Sequence, residues 1–335
     1  MVAGCVTILH SVAAGQTAPA PAIRETLNRV AADLFSAAPH PAEAIKQLKA
    51  ILAANPGLAE GHMLLGIAYG AQGSPDLMGE AVAELRQALA LNPSLVLARM
   101  TLARVYLDLA RADRAREELA LALAQNPGHP QILALSGEAE RQLGNPSRSL
   151  ELNRQALQTD ATFVQARYYL ALALLDLKQH AEAVREMEAV VKSGANPAEA
   201  YLGLGTAYLD AGRVDDALKA LGEAARLDPA RPETHIKLAR AYRSKGLLDR
   251  AVKELQLATP TGPATPNALY HSVESDLYME EGLVRMQQGR LEAAAESFQR
   301  VLDADASHEP AKRQLAEVRK RLKQRASQKK PGGPL

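Results

Sequence analysis

One interval constrains this chain more than any other feature. Ala115, Ser149, Ala183, Ala217 and Ala251 are each 34 residues apart, and so are Ala103, Gly137, Ala171, Gly205 and Ala239. Extending that frame gives units beginning at Glu25, Ala59, Val96, Pro130, Val164, Ala198, Pro232 and Ser275. The second unit is 37 residues long, with three extra residues near Ser74, and nine extra residues separate the last two units. A fixed period of this size means that one supersecondary motif is copied along the chain.

The copies agree at particular positions. The eighth residue is Gly or Ala in all eight units, and the twentieth is Ala in seven and Ser149 in the other. Tyr69, Tyr106, Tyr208 and Tyr242 share the eleventh position, and Gly73, Gly144, Gly212, Gly246 and Gly289 share the fifteenth. Pro56, Pro93, Pro127, Pro229 and Pro263 close five units. In the sixth unit Tyr201, Leu204, Gly205 and Tyr208 fall on one helical face, and Ala217, Leu221 and Ala224 fall on another after the turn. Gly212 suits the left-handed residue that ends a helix, and Asp228-Pro229 stops the second one. Ser74-Pro75 and Asn145-Pro146 are expected to begin second helices with side-chain caps. The small residues are expected where the two helices of a pair cross, so that their backbones approach closely.

This pattern resembles the tetratricopeptide repeat family, whose period is the same. The resemblance covers residues 25–308. It is weakest in the first unit, where Pro39 replaces the turn glycine and Ile51 a second-helix alanine; in the fourth, Asn153 stands where an apolar residue is expected. It implies an all-α fold, a right-handed α–α superhelix of about eight helix-turn-helix repeats. A repeat cannot bury its apolar face alone, so the units are expected to stack into one solenoid. Residues 309–325, with Ala311, Leu315, Val318 and Leu322 on one stripe, read as a helix capping the last unit. Residues 259–273 carry three prolines and break the register as an insertion. Residues 326–335 read as a disordered basic tail, and residues 1–24 as a signal-like or disordered leader.

Scarce aromatics, 4% of the chain, and cores of Ala and Leu fit close helix packing rather than a sandwich or barrel. Cys5 is the single cysteine, so no internal disulfide or thiolate metal cluster can form. The apolar run ending at Val12-Ala13-Ala14 resembles a secretory leader, although it lacks a positively charged start. The expectation is export to a periplasm or medium, with a cytoplasmic location as the alternative. Val2-Ala3-Gly4-Cys5 stands too near the terminus to serve as a lipoprotein box. No other apolar run approaches a membrane span.

No phosphate-cradling, zinc-protease or nucleophile-elbow motif is present, and the eight histidines are dispersed. The expectation is therefore no catalytic residue, no cofactor and no metal. In tetratricopeptide repeat proteins the first helices line a concave groove that receives peptides or partner helices. The resemblance places Met63, Ile67, Met100, Arg104, Glu138, Arg141, Tyr168, Leu172, Thr206, Ile236, Lys237, Arg240, Arg243, Met279 and Leu283 there. Tyr168 stands out as an aromatic anchor. Lys237, Arg240 and Arg243 form a basic strip suited to carboxylates, while Met100 and Met279 suit an adaptable apolar lining. One subfamily grips acidic chaperone tails with Lys and Asn at set positions. Here those positions hold Met100, Ala134 and Tyr168, and Arg104, Glu138 and Leu172, which argues against that clamp.

From Lys312 onward nine basic residues face one acid, which suits a weak contact with an anionic surface. Nucleic acid is not expected, because no basic groove with interleaved aromatics is evident. The leading expectation is a non-enzymatic scaffold gripping a protein or peptide partner, in a bacterial envelope assembly. A self-assembly module, or a glycan- or small-molecule-binding accessory subunit of an enzyme, are the alternatives.

Overall fold

Prolines and positive-φ turns cut the chain into short helices, and a computed structural model shows where each cut falls. It describes residues 19–36, 38–259 and 268–328. The leader up to residue 18, the core of the Pro-rich insertion with Pro263, and the tail from residue 329 lie outside those residues. The described residues contain seventeen helices and no strand. They are α1 (Pro21–Leu34), α2 (Pro41–Ala54), α3 (Ala59–Gln72), α4 (Pro75–Leu91), α5 (Val96–Asp108), α6 (Ala112–Gln125), α7 (Pro130–Gln142), α8 (Pro146–Thr159) and α9 (Val164–Asp176). There follow α10 (His180–Lys192), α11 (Pro197–Asp210), α12 (Val214–Leu227), α13 (Pro232–Ser244), α14 (Leu248–Ala258), α15 (Ala268–Gln287), α16 (Leu291–Ala304) and α17 (Glu309–Gln328). First helices carry odd numbers and second helices even ones, with α17 at the end.

Among the described residues, the turn inside seven of the eight pairs carries one residue at positive φ. Gly212 sits at φ 75°, and around it Gly212 N–H donates to the Leu209 carbonyl (3.0 Å) and Arg213 N–H to that of Tyr208 (2.8 Å). The third and fifth units keep a left-handed residue without glycine, as Ala110 (φ 55°) and Lys178 (φ 62°). Ala110 N–H reaches the Leu107 carbonyl at 3.0 Å, and Arg111 N–H that of Tyr106 at 2.8 Å. The same pair of bonds holds the strained residue, at a cost of roughly 1–2 kcal/mol.

The expected side-chain caps are absent. Neither Ser74 nor Asn145 caps its helix through a side chain. Asn145 instead spends its amide on Glu140 Oε2 at 2.8 Å. Pro75 and Pro146 stand at the first helical position, where their missing N–H leaves one orphan donor fewer at the helix end.

The chain divides into two compact units, Met1–Ala173 and Leu174–Leu335. In the first, helices pair as α3–α4, α5–α6 and α7–α8, and first helices also touch the next first helix, α1–α3, α3–α5 and α5–α7. In the second, the pairs are α11–α12, α13–α14 and α15–α16, with α11–α13 and α13–α15 in contact. Within each unit the first helices thus form one layer. Leu48, Met63, Leu85, Leu102, Leu119 and Ile132 are fully buried in the first unit's core.

At the end of the second unit α17 packs on α16, where Leu315 and Val318 join Leu291 and Phe298 in one cluster. Leu315 is 4% exposed. Leu315→Ala is expected to cost about 2 kcal/mol, the low end for such a truncation, because an end helix can settle inward. Removing everything after Ser307 should lower Tm further and increase self-association in light scattering. An unchanged melt would show that α17 covers nothing.

Candidate functional site

The first-helix layer of the first unit carries the first group of sequence-predicted residues. Met63 and Met100 are 1% and 5% exposed, and so belong to the core. The expected methionine lining is corrected at Met100: its side chain fills space within the helix stack rather than facing outward. Glu138 is also buried, and Arg141 grips it with two bonds, Nε to Oε2 at 2.8 Å and Nη2 to Oε1 at 2.9 Å. Gln142 Nε2 adds a third donor at 2.9 Å. A desolvated carboxylate needs such partners, so Glu138 and Arg141 satisfy each other and do not present a free charge.

Arg104 stays exposed, with Nη1 donating to the Tyr169 hydroxyl (3.2 Å) and Nε standing 3.4 Å from Asp108 Oδ1. Gln165 Nε2 donates to the same hydroxyl at 3.1 Å. Burial raises the Tyr169 phenol pKa, and the nearby Arg104 charge works against that rise. Tyr168 is half-buried, its ring 5.9 Å from that of Tyr169 and tilted by 57°. Tyr168, Leu172 and Ile67 pack their inner sides on the unit's core and leave the rest accessible.

In the second unit Thr206 turns its hydroxyl back to the Leu202 carbonyl (2.9 Å), which leaves mainly its methyl for contacts. Ile236 is buried, and the half-buried Met279 and Leu283 pack toward the α16–α17 cluster. The expected basic strip is corrected here. Arg240 Nη2 donates to Asp210 Oδ1 at 3.2 Å, tying α13 back to α11. Arg243 pairs with Glu280, Nε on Oε1 and Nη2 on Oε2 (3.3 Å), tying α13 forward to α15. Lys237, half-buried on the same helix, is the member of the strip with no carboxylate partner among the described residues.

The missed partners are Asp210 and Glu280. They are 30 and 37 residues from their arginines, close to one period away in each direction. Pairing charges one period apart would have found them; reading each helix separately hides them.

Tyr208, at the eleventh position, is nearly buried and donates its hydroxyl to Glu188 Oε1 at 2.7 Å. Its pKa is pushed up to about 12, first by burial and then by the bond to Glu188 and that carboxylate's charge. Arg213 lies over the ring, 4.4 Å from its centre. These contacts lock a first helix to its surroundings and contain no nucleophile–base pair. Among the described residues no cluster of His, Cys, Asp and Glu has the arrangement of a metal site. Nor is any helix there long and apolar enough to cross a membrane.

Two family models, each described as tetratricopeptide repeat, match residues 78–138 and 208–277, and residues 135–200 and 268–309. The chain belongs to the tetratricopeptide repeat family. A tetratricopeptide repeat protein from Parabacteroides merdae is similar at TM-score 0.57 and 17% identity, over 78% of this chain and 98% of that one. A chain of the APC/C hetero-tetramer Cut9-Hcn1 is similar at TM-score 0.62 and 14% identity, over 87% of this chain and 48% of that one. This chain therefore spans about half the length of the latter. Identities this low carry the fold alone. No curated protein is similar enough to count as a relative. Tetratricopeptide repeats in general build protein-interaction scaffolds, typically without catalysis.

Proposed function

We propose that this tetratricopeptide repeat protein is a non-enzymatic scaffold that binds a protein or peptide on the first-helix layer of one or the other of its units. The observation that supports this most is the internal pairing of charges on the first-helix layer within each unit. Arg104, Glu138, Arg141, Arg240 and Arg243 all engage neighbours. Such a surface is already organised, so a partner loses little in ordering it. What remains for contact is half-buried and largely apolar, with Tyr168 and Leu172 in the first unit and Met279 and Leu283 in the second. The basic face of α17 adds a weak anionic contact. A role in a bacterial envelope assembly rests on the leader-like composition before residue 15.

Tyr168→Ala tests the reading. A partner cross-linked to the wild-type chain and then identified should bind this variant at least about tenfold more weakly, as for an interface anchor. Tm should stay within a few degrees. Leu121→Ala, on α6 and 50% exposed, should leave binding unchanged. Equal binding by the Tyr168 variant, or a comparable loss at Leu121, would move the binding face off the first helices.

A further inference from the structure

The second position of the repeat is polar along most of the chain and keeps its access to water. Gln131, Gln165, Glu199, Glu233 and Asp276 hold it in later units, each half-buried or exposed. In the second unit the same position is Glu60, and there the fold covers it to 7% exposure. Among the described residues Glu60 makes no hydrogen bond and no ion pair.

The other covered acids of the first helices are not left this way. Glu138 is met by Arg141 and Gln142, and Glu280 by Arg243. A carboxylate withdrawn from water is strongly disfavoured until a cation or several donors meet it. Around Glu60 the cations are engaged elsewhere. Lys49 of α2 stands over the Tyr69 ring, 5.6 Å from its centre. On α5, Arg99 donates to Glu118 and the Pro93 carbonyl, and Arg104 to the Tyr169 hydroxyl. No cation of α1 or α4 forms an ion pair with Glu60.

The start of α3 does not explain the burial. Glu60 lies in the first turn, where an acid meets the positive end of the helix dipole. Glu43, Asp76 and Asp113 stand in the first turns of α2, α4 and α6 while remaining exposed. The dipole interaction therefore needs no covering. A divalent ion does not fit either, because a single carboxylate cannot hold one and no metal-type cluster occurs among the described residues.

We infer that Glu60 is the receptor for a cationic side chain of the partner, a lysine or an arginine. This rests on the first-helix reading above and gives the partner of the first unit its chemistry. A long apolar stem carrying one charge suits a carboxylate that is largely covered. Helical spacing puts Ile67 on the same face as Glu60, and Ile67 is half-buried against the core. The seven residues between them rise about 10 Å, a span that about three residues of extended chain cover. The segment that fits is therefore extended, with a cation and an apolar side chain three residues apart.

Two tetrapeptides serve as probes, acetyl-Lys-Ala-Ala-Leu amide and the same residues in reverse order. Each is titrated into the full-length chain while amide shifts in α3 are followed by NMR. At least one should give saturable shifts. Norleucine in place of lysine, or Glu60→Gln in the protein, should weaken that binding at least about tenfold. Without peptide, Glu60→Gln should raise Tm by a few degrees, because it removes an uncompensated charge; a dipole role alone would lower Tm instead. No saturable shift in α3 from either lysine peptide, equal binding by the norleucine peptides or by Glu60→Gln, or a Tm that does not rise would each overturn the inference. The Tyr168 test on α9 is independent. If it fails while lysine peptides still bind at α3, the broader surface reading fails by itself. If it succeeds while lysine and norleucine peptides behave alike, only the role of Glu60 is lost.

Discussion

Replacing Glu280 by alanine should destabilise the second unit by about 3 kcal/mol, chiefly by stranding Arg243. The two side chains are 18% and 8% exposed, so most of the water each would need is gone. Removing one member of such a pair leaves an uncompensated charge in a poorly hydrated place, at a typical cost of ~3–5 kcal/mol. The remaining exposure of Arg243 sets the lower end. Glu280→Gln keeps one acceptor oxygen and should lose less. The double change Arg243→Met/Glu280→Leu should recover stability to within about 1 kcal/mol, because an apolar pair avoids desolvation altogether. Since repeat stacks unfold by neighbour-coupled steps, amide exchange in α13 and α15 is the measurement that separates these outcomes. Unchanged protection in Glu280→Ala would show that the pair contributes nothing to fastening these first helices together.

That pair also marks how far the sequence could be read. The 34-residue frame yields helix-turn-helix repeats because Gly205, Ala217 and Gly212 are chosen by sterics and backbone conformation, and such constraints leave a residue-type signature. Where the chain meets the constraint differently, the signature disappears. Ala110 and Lys178 adopt the left-handed turn that glycine takes elsewhere, held by hydrogen bonds that any residue's backbone can make. Nothing in their side chains announces it. Asn145 was a plausible cap by type, yet a carboxylate one turn away competes for its amide.

The candidate surface was less legible for a related reason. Lys237, Arg240 and Arg243 lie on one helix, so the sequence shows three cations together. Whether they are available depends on what the adjacent repeats bring alongside, and Asp210 and Glu280 come from those repeats. Met100 shows the same limit for apolar groups. Its type suits core and groove equally, and its 5% exposure is settled by how closely neighbouring helices approach. Tyr168 and Tyr169 are adjacent in sequence, but the helix turns one into the core and leaves the other half-buried.

Gly282→Leu should destabilise α15–α16 by ~3 kcal/mol or more, at or beyond the usual upper range for overpacking. A Cβ there would stand 2.5 Å from Phe298 Cε1 and 2.7 Å from Cζ, against a ring that is fully buried. The ring cannot swing aside without displacing its neighbours Leu291 and Leu315 in the same cluster. Gly205 makes the equivalent approach to Leu221, with 2.5 Å to Cγ and 3.3 Å to the backbone nitrogen. Leucine at Gly205 should cost ~1–3 kcal/mol, less than at Gly282, because a branched aliphatic chain has other rotamers to adopt. Alanine separates clash from helix propensity. An exposed helical glycine gains up to ~1 kcal/mol on becoming alanine, and Gly222, with open space around it, should show that gain. At Gly282 the same change should be net destabilising, since the clash exceeds the propensity. Denaturant midpoints for Gly222→Ala, Gly205→Ala and Gly282→Ala should therefore fall in that order. Equal midpoints for the three would mean that close helix crossing is not what keeps the eighth position small.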